Sequence, residues 1–144
     1  MNSIMTTPHR FERNTLIRFS HCDPAGIVFF PQYLVMFNNL VEDWVTEGLG
    51  ISYADLVGRR RIGLPTVSLN CDFTAVSNMG DEVTLGLSVE RIGTSSIRLA
   101  LGCRHGLEER VRVQQVLVTT SLETHRAIPI PDDLRDAMAK FQSR

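Results

Sequence analysis

The sequence predicts an α+β fold in which an antiparallel sheet packs with one long helix. Three observations predict it. Apolar residues recur at three- and four-residue spacing from Pro31 to Glu47, they then recur at two-residue spacing in successive later runs, and glycine-bearing turns separate those runs. At 144 residues the chain is expected to form one unit over 1–144, because a second core would leave each half near the size at which folding alone becomes marginal.

Taken in order, residues 1–9 read as a loose N-terminal arm, and Leu16 to Phe19 is a short apolar-rich run suited to a strand. The turn formers of His21-Cys22-Asp23-Pro24-Ala25-Gly26 stop that strand. From Pro31, the residues Leu34, Phe37, Val41, Trp44 and Val45 share one helical face, with Asn39, Glu42, Asp43 and Thr46 off it. Pro31 suits the first helical turn, where a missing N–H is no loss, and Gly48 or Gly50 suits the end.

After Arg59-Arg60-Arg61 the period becomes two. Val67, Leu69, Cys71 and Phe73 alternate with Ser68, Asn70, Asp72 and Thr74, as a sheet buried on one face requires. Val83, Leu85, Leu87 and Val89 repeat the pattern, as do Ile97, Leu99, Leu101 and Cys103, and Val111 to Leu122 has the composition of a long central strand. Met79-Gly80-Asp81, Ile92-Gly93-Thr94 and His105-Gly106-Leu107 then predict a meander joined by hairpins, and a short helix follows Pro129 and Pro131. One helix cannot cover both faces of such a sheet, so the uncovered face and the edges call for a second subunit.

Composition narrows the function. A hydrophobic fraction of 43% with 22% charged residues is ordinary for a packed globular chain and excludes fibrous or disordered classes. Fifteen Lys+Arg against sixteen Asp+Glu leave no basic excess, so nucleic acid is not an expected partner. The longest apolar stretch, Ala25 to Phe30, is far short of the ~20 residues of a spanning helix. Met1 to Arg13 lacks a basic segment followed by an apolar one, so no membrane partner is expected and the cytoplasm is the expected location. Cys22, Cys71 and Cys103 are an odd, widely spaced set, and His9, His21, His105 and His125 are scattered, so no disulfide framework, metal site or cofactor is anticipated.

Asp23-Pro24-Ala25-Gly26 admits two readings. Asp at the first position, Pro at the second and Gly at the fourth form the signature of a type I turn. The same turn leads through Ile27-Val28-Phe29-Phe30 into a helix N-terminus, whose unpaired N–H groups favour negative charge, so an Asp there stays ionised as a nucleophile or base must. Cys22 competes as a nucleophile, being near the helix start and next to His21.

The run Cys22-Asp23-Pro24-Ala25-Gly26-Ile27-Val28, followed by Phe29-Phe30-Pro31-Gln32-Tyr33 opening a helix, closely resembles the signature of the 4-hydroxybenzoyl-CoA thioesterase family of hot-dog-fold proteins. Pro65-Thr66-Val67-Ser68-Leu69-Asn70, with Phe73 beyond, is similar to that family's second segment, and the likeness spans roughly residues 11–127. The resemblance implies a single hot-dog domain, an antiparallel sheet wrapped around one long helix, that hydrolyses an acyl-CoA thioester. It implies Asp23 as nucleophile or general base, the backbone N–H at Phe30 as oxyanion donor, and active sites shared between subunits of a dimer or dimer of dimers (a homotetramer). By the same resemblance Asn38, Thr66, Val67 and Ser68 meet the acyl group, and Arg91, Ser95 and Ser96 meet the CoA phosphates.

Phe30 replaces the histidine of the short-chain aliphatic branch, which points to an aromatic acyl group. Asn38 stands where the 4-hydroxybenzoyl enzyme carries an Asp. The competing functions are a short-chain acyl-CoA thioesterase, a non-catalytic acyl-CoA-binding or regulatory protein of the same fold, and a dehydratase pairing His21 with Glu42.

Overall fold

The computed structural model describes residues 10–142; the predicted loose arm over 1–9 lies outside them. Strand β1 (Phe11–Leu16) is followed by one 3-10 turn (Phe19–His21) and by helix α1 (Phe30–Asp43), whose last turn widens to a π-helical segment, Trp44–Gly48. A short helix α2 (Tyr53–Gly58) precedes β2 (Ile62–Gly63), β3 (Thr66–Phe73), β4 (Glu82–Ile92), β5 (Ser96–His105), β6 (Glu108–Val118), β7 (Thr120–Ser121) and α3 (Asp132–Ala139). The five long strands make one antiparallel sheet in the order β1-β4-β5-β6-β3, and β2 pairs with β7 separately.

The α+β expectation holds: α1 lies on the sheet in the hot-dog arrangement. Its buried residues Tyr33, Met36, Phe37, Leu40 and Val41, with Trp44 and Val45 of the π segment, share one core with Val83, Leu85, Leu87, Leu99, Val111 and Val113. The predicted face was right at Phe37, Val41, Trp44 and Val45 but too narrow. Tyr33, Met36 and Leu40 widen it, because one flank of the helix meets β1 and the other meets β3 and β6. Gly50, at φ 72°, adopts the left-handed conformation that ends such a helix and that other residues resist.

Four local expectations need correction. The first strand is Phe11–Leu16 rather than Leu16 to Phe19: Phe11 is buried opposite Leu87, whereas Phe19 is 80% exposed in the 3-10 turn. Helix α2 was not anticipated, although Ser52, whose hydroxyl accepts the Asp55 N–H at 3.1 Å, is an N-cap signal present in the sequence. The meander is real for β4-β5-β6, but β3 and β4 are not a hairpin; the chain crosses the sheet between them and leaves β3 at the far edge. The long strand ends at Val118, and Thr120–Ser121 turns away to pair with β2.

The sheet face and the edges that the sequence left uncovered differ in character. The sheet surface turned away from α1 carries exposed Arg98, Arg112 and Gln114, so water can cover it. Strand β3 is different: apart from half-buried Cys71 every residue in it is exposed, and Val67, Leu69 and Phe73 are 60%, 46% and 48% accessible. Among the described residues no element lies over that edge.

Candidate active site

Asp23 sits at the head of a narrow loop between the 3-10 turn and α1. Cys22 and Val28 form an antiparallel bridge, the Phe29 N–H donates to the His21 carbonyl at 2.9 Å, and the Asp23 N–H donates to the Ile27 carbonyl at 3.0 Å. At the tip, the Gly26 N–H donates to the Asp23 carbonyl at 2.9 Å, closing the four-residue turn, with Gly26 at φ 79°. Asp23 Oδ1 accepts the Ala25 N–H at 2.9 Å, which fixes the carboxylate and leaves Oδ2 without a donor among the described residues. The turn predicted from Asp23-Pro24-Ala25-Gly26 is therefore real, and it presents a half-exposed carboxylate.

This loop delivers the chain into α1 within two residues of Val28. The Phe30 N–H opens the helix, where no intrahelical acceptor exists, no side chain caps it, and Pro31 contributes no competing N–H. A small oxygen bearing developing negative charge finds there a free donor and the positive end of the helix. The rings of Phe29 and Phe30 and of Phe30 and Phe73 meet edge to face, each at a centroid separation of 5.8 Å, and Tyr33 and Phe73 pack at a tilt at 6.0 Å. An apolar, partly open aromatic wall thus runs from the Asp23 loop to β3.

Along the same side of α1 lies a cavity of about 350 Å³ bounded by Leu34, Val35, Phe37 and Asn38 on the helix and Thr66, Leu69, Val113 and Gln115 on the sheet. The structure brings Asn38 and Thr66 together here. Val67 and Ser68 lie outside its lining: the register slips between Thr66 and Ser68, and this bulge turns Val67 out along the open edge. Gln115 was missed. It donates to Thr66 Oγ1 at 2.8 Å and is 8% exposed. Its signal was present, since Gln115 occupies the buried register of Val111, Val113 and Leu117, where alternation calls for an apolar residue.

A larger cleft, about 410 Å³, opens on the opposite flank of α1, lined by Arg13, Arg18, His21, Asn39 and Asp43 among others. Its lining mixes these polar groups with Leu16, Met36, Leu40 and Leu85, and Arg13 is paired with Glu47. His21 faces this cleft, takes the Arg18 N–H on Nδ1 at 2.9 Å, and is held neutral more firmly than usual by burial and then by the Arg18 charge. Glu42 is exposed and does not line the cleft, so the His21–Glu42 pair of a dehydratase is not formed within the chain. Cys22 Sγ donates to the Arg18 carbonyl at 3.4 Å, as an inert thiol does.

Of the residues considered for CoA, Arg91 and Ser96 line a pocket of about 210 Å³ with Arg98 and Val116; Ser95 is outside that lining, and its main-chain carbonyl takes the Thr119 N–H at 2.9 Å. Arg98 was missed. Arg91 and Arg98 stand opposite each other across β4 and β5, and neither has a carboxylate partner among the described residues. Two facing guanidinium groups repel, and an anion between them relieves this.

The fold and these features define a class, the thioester hydrolases. The chain belongs to the thioesterase-like superfamily, whose family model matches residues 17–138. Among curated proteins it is 26% identical over 129 residues to the 1,4-dihydroxy-2-naphthoyl-CoA hydrolase of Synechococcus elongatus, covering 89% of this chain and 93% of that one. It is 29% identical over 125 residues to the 4-hydroxybenzoyl-CoA thioesterase of a Pseudomonas species, covering 81% and 89%. The solved structure of a gentisyl-coenzyme A thioesterase superposes with a TM-score of 0.81 at 25% identity, covering 89% of this chain and 99% of that chain.

Proposed function

We propose that this protein hydrolyses an aryl-CoA thioester to the free acid and CoA, with Asp23 as the reacting carboxylate. The observation that carries the reading is the pairing of a fixed carboxylate with a free helix-start N–H at Phe30, joined by one short hydrogen-bonded loop. The thioester carbonyl oxygen accepts the Phe30 N–H, and negative charge building on it in the tetrahedral state is stabilised by that donor and the helix end. Asp23 then acts in one of two ways. Its Oδ2 attacks the carbonyl carbon, the C–S bond breaks, the CoA sulfur leaves and takes up a proton, and water cleaves the resulting anhydride. Otherwise Oδ2 removes a proton from a water that attacks directly.

The aromatic preference rests on the flat apolar cavity beside α1, whose polar groups Asn38, Thr66 and Gln115 suit a ring substituent rather than a hydrocarbon chain. The relatives named above act on naphthoyl, hydroxybenzoyl and gentisyl thioesters, which agrees. We assign the CoA phosphates to Arg91, Arg98 and Ser96. We further assign a homodimer joined along β3, since that strand has a free hydrogen-bonding edge and exposed Val67, Leu69 and Phe73 beside exposed Phe29 and Phe30. The partner's β3 closes the open side of the acyl cavity, where Val67 and Ser68 become lining residues.

Hydrolysis rates for benzoyl-, hydroxybenzoyl-, hydroxynaphthoyl- and acetyl-CoA decide the matter. The expected result is a kcat/KM for the best aryl ester at least ~10²-fold above acetyl-CoA; comparable values refute the aryl assignment. Binding of all four esters without turnover identifies a regulatory acyl-CoA-binding protein instead.

A further inference from the structure

We infer that the ion pair between buried Arg110 and part-buried Asp81 is a strut that sets the position of the Asp23 loop and the start of α1, so that Arg110 and Asp81 are positioning residues for the reaction. The inference rests on the catalytic reading of Asp23 given above.

The loop is not held by its own hydrogen bonds alone. It lies against the turn at 77–80: the Val28 N–H donates to the Ser77 carbonyl at 3.0 Å, the Met79 N–H donates to the Gly26 carbonyl at 3.0 Å, and Ile27 bridges Asn78. Where this second turn goes, Asp23 and Phe30 follow.

The second turn is fixed from beneath. Asp81 Oδ2 accepts the Asn78 N–H at 2.9 Å and Arg110 Nη1 at 3.0 Å, and both bonds pull its carboxyl below the ordinary range, the backbone N–H most. Arg110 rises from β6, is 6% exposed, and also donates to the Val76 carbonyl at 2.8 Å, to Ser77 Oγ at 3.1 Å and to Glu108 at 2.6 Å. Val76, Ser77 and Asp81 all converge on the one Nη1 group, which the Nε bond to Glu108 helps to orient, so a single side chain from β6 ties these three residues together. Tyr33, in the first turn of α1, places its buried hydroxyl in the field of the same Ser77, Asp81 and Arg110, burial raising its pKa. The main-chain bonds of Ile17 and Asp81, and of Gly80 and Ile17, each 2.8 Å, tie the turn to the end of β1.

A buried ion pair is a poor device for stability alone, because well-packed apolar groups do as well. Its advantage lies in direction. Here the directed bonds end on the turn that carries the loop bearing the reacting carboxylate and the oxyanion donor, where a displacement of ~1 Å costs on the order of 10²-fold in rate.

The test compares Asp81→Asn, which keeps an acceptor for the Asn78 N–H but removes the charge, with Arg110→Met, which keeps the apolar stem but removes every donor. Arg104→Gln, which breaks the exposed pair with Glu12, is the control. Steady-state kinetics on the best aryl-CoA is measured together with amide hydrogen exchange by mass spectrometry. In both strut variants kcat is expected to fall roughly 10- to 100-fold with KM within about twofold. Peptides covering 22–30 and 76–82 should exchange faster while those of β4 and β5 keep their protection, and the control should match the parent. Unchanged exchange at 22–30 in both variants overturns the strut whatever the activity does. Faster exchange there with unchanged kcat overturns its positioning role. If Asp23→Asn itself proves fully active, the catalytic reading has failed, and the exchange result still reports on the strut separately.

Discussion

Replacing Asp23 by Asn separates a turn-forming residue from a reacting one. In the structure Asp23 Oδ1 accepts the Ala25 N–H at 2.9 Å, and the turn is closed by the Gly26 N–H on the Asp23 carbonyl. An Asn Oδ1 accepts the same N–H and Asn is equally favoured at the first position of the turn, so the unfolding free energy should stay within about 0.5 kcal/mol of the parent. The amide cannot attack a thioester as a carboxylate does, nor take a proton from water. The expected loss is ~10²- to 10⁴-fold in kcat, equivalent to about 2.7–5.5 kcal/mol of transition-state stabilisation. Asp23→Ala adds the loss of the Ala25 hydrogen bond, about 1 kcal/mol, so it should be as inactive as Asp23→Asn but measurably less stable. The assay follows thiol release from the best aryl-CoA beside thermal unfolding and CoA binding. A single turnover in ¹⁸O-water, with mass spectrometry of the peptide bearing Asp23, then tests the anhydride route, since label enters the carboxylate only when water opens an anhydride at the Asp23 carbonyl. An Asp23→Asn protein with parental kcat refutes the assignment outright.

Cys22→Ser should keep most activity, because its thiol only donates to the Arg18 carbonyl; an inactive but folded variant transfers the chemistry to the thiol. Burial pushes the Cys103 thiol up to about 11, so at pH 8 only about 0.1% is thiolate and a disulfide reagent should leave it untouched in the native protein; rapid labelling of Cys103 would contradict the packing. Asp81 is held ionised below the usual carboxylate range, so its contribution to stability is complete above its unfolded pKa and disappears as pH falls through the lower folded value. Asp81→Asn should therefore narrow the gap in Tm to the parent as the medium is acidified through that window, and a gap constant with pH would refute the linkage. Leu69→Glu on β3 places a charge on the proposed subunit edge, and sedimentation should show monomers with activity lost in parallel; an unaltered dimer moves the interface elsewhere.

Local chemistry decided much of what was legible in advance. The two-residue period of Val83 to Val89 and of Ile97 to Cys103 matches the core-facing residues of β4 and β5, because successive side chains of a strand point to opposite faces; in β4, Gly86 and Ser88 on the other face are buried as well. The three- and four-residue spacing from Leu34 to Val45 placed α1, and Asp-Pro-Ala-Gly specified its turn, since these depend on contacts within a few residues. The order of strands depends on pairings between distant segments. Nothing in Val67 to Phe73 states that the strand crosses the sheet to pair with β6, so only the assembled sheet shows that its apolar face is left open. Gln115 and Arg110 belong with β3 in this respect. Each is a polar residue in a buried position, noticeable along the chain, but its meaning comes from Thr66 49 residues away and from Asp81 29 residues away. The sequence alone determined α1, β4, β5, the turn and the carboxylate at its head; the tertiary structure decided what surrounds that carboxylate, because a hydrogen bond or cavity wall needs groups brought together by folding.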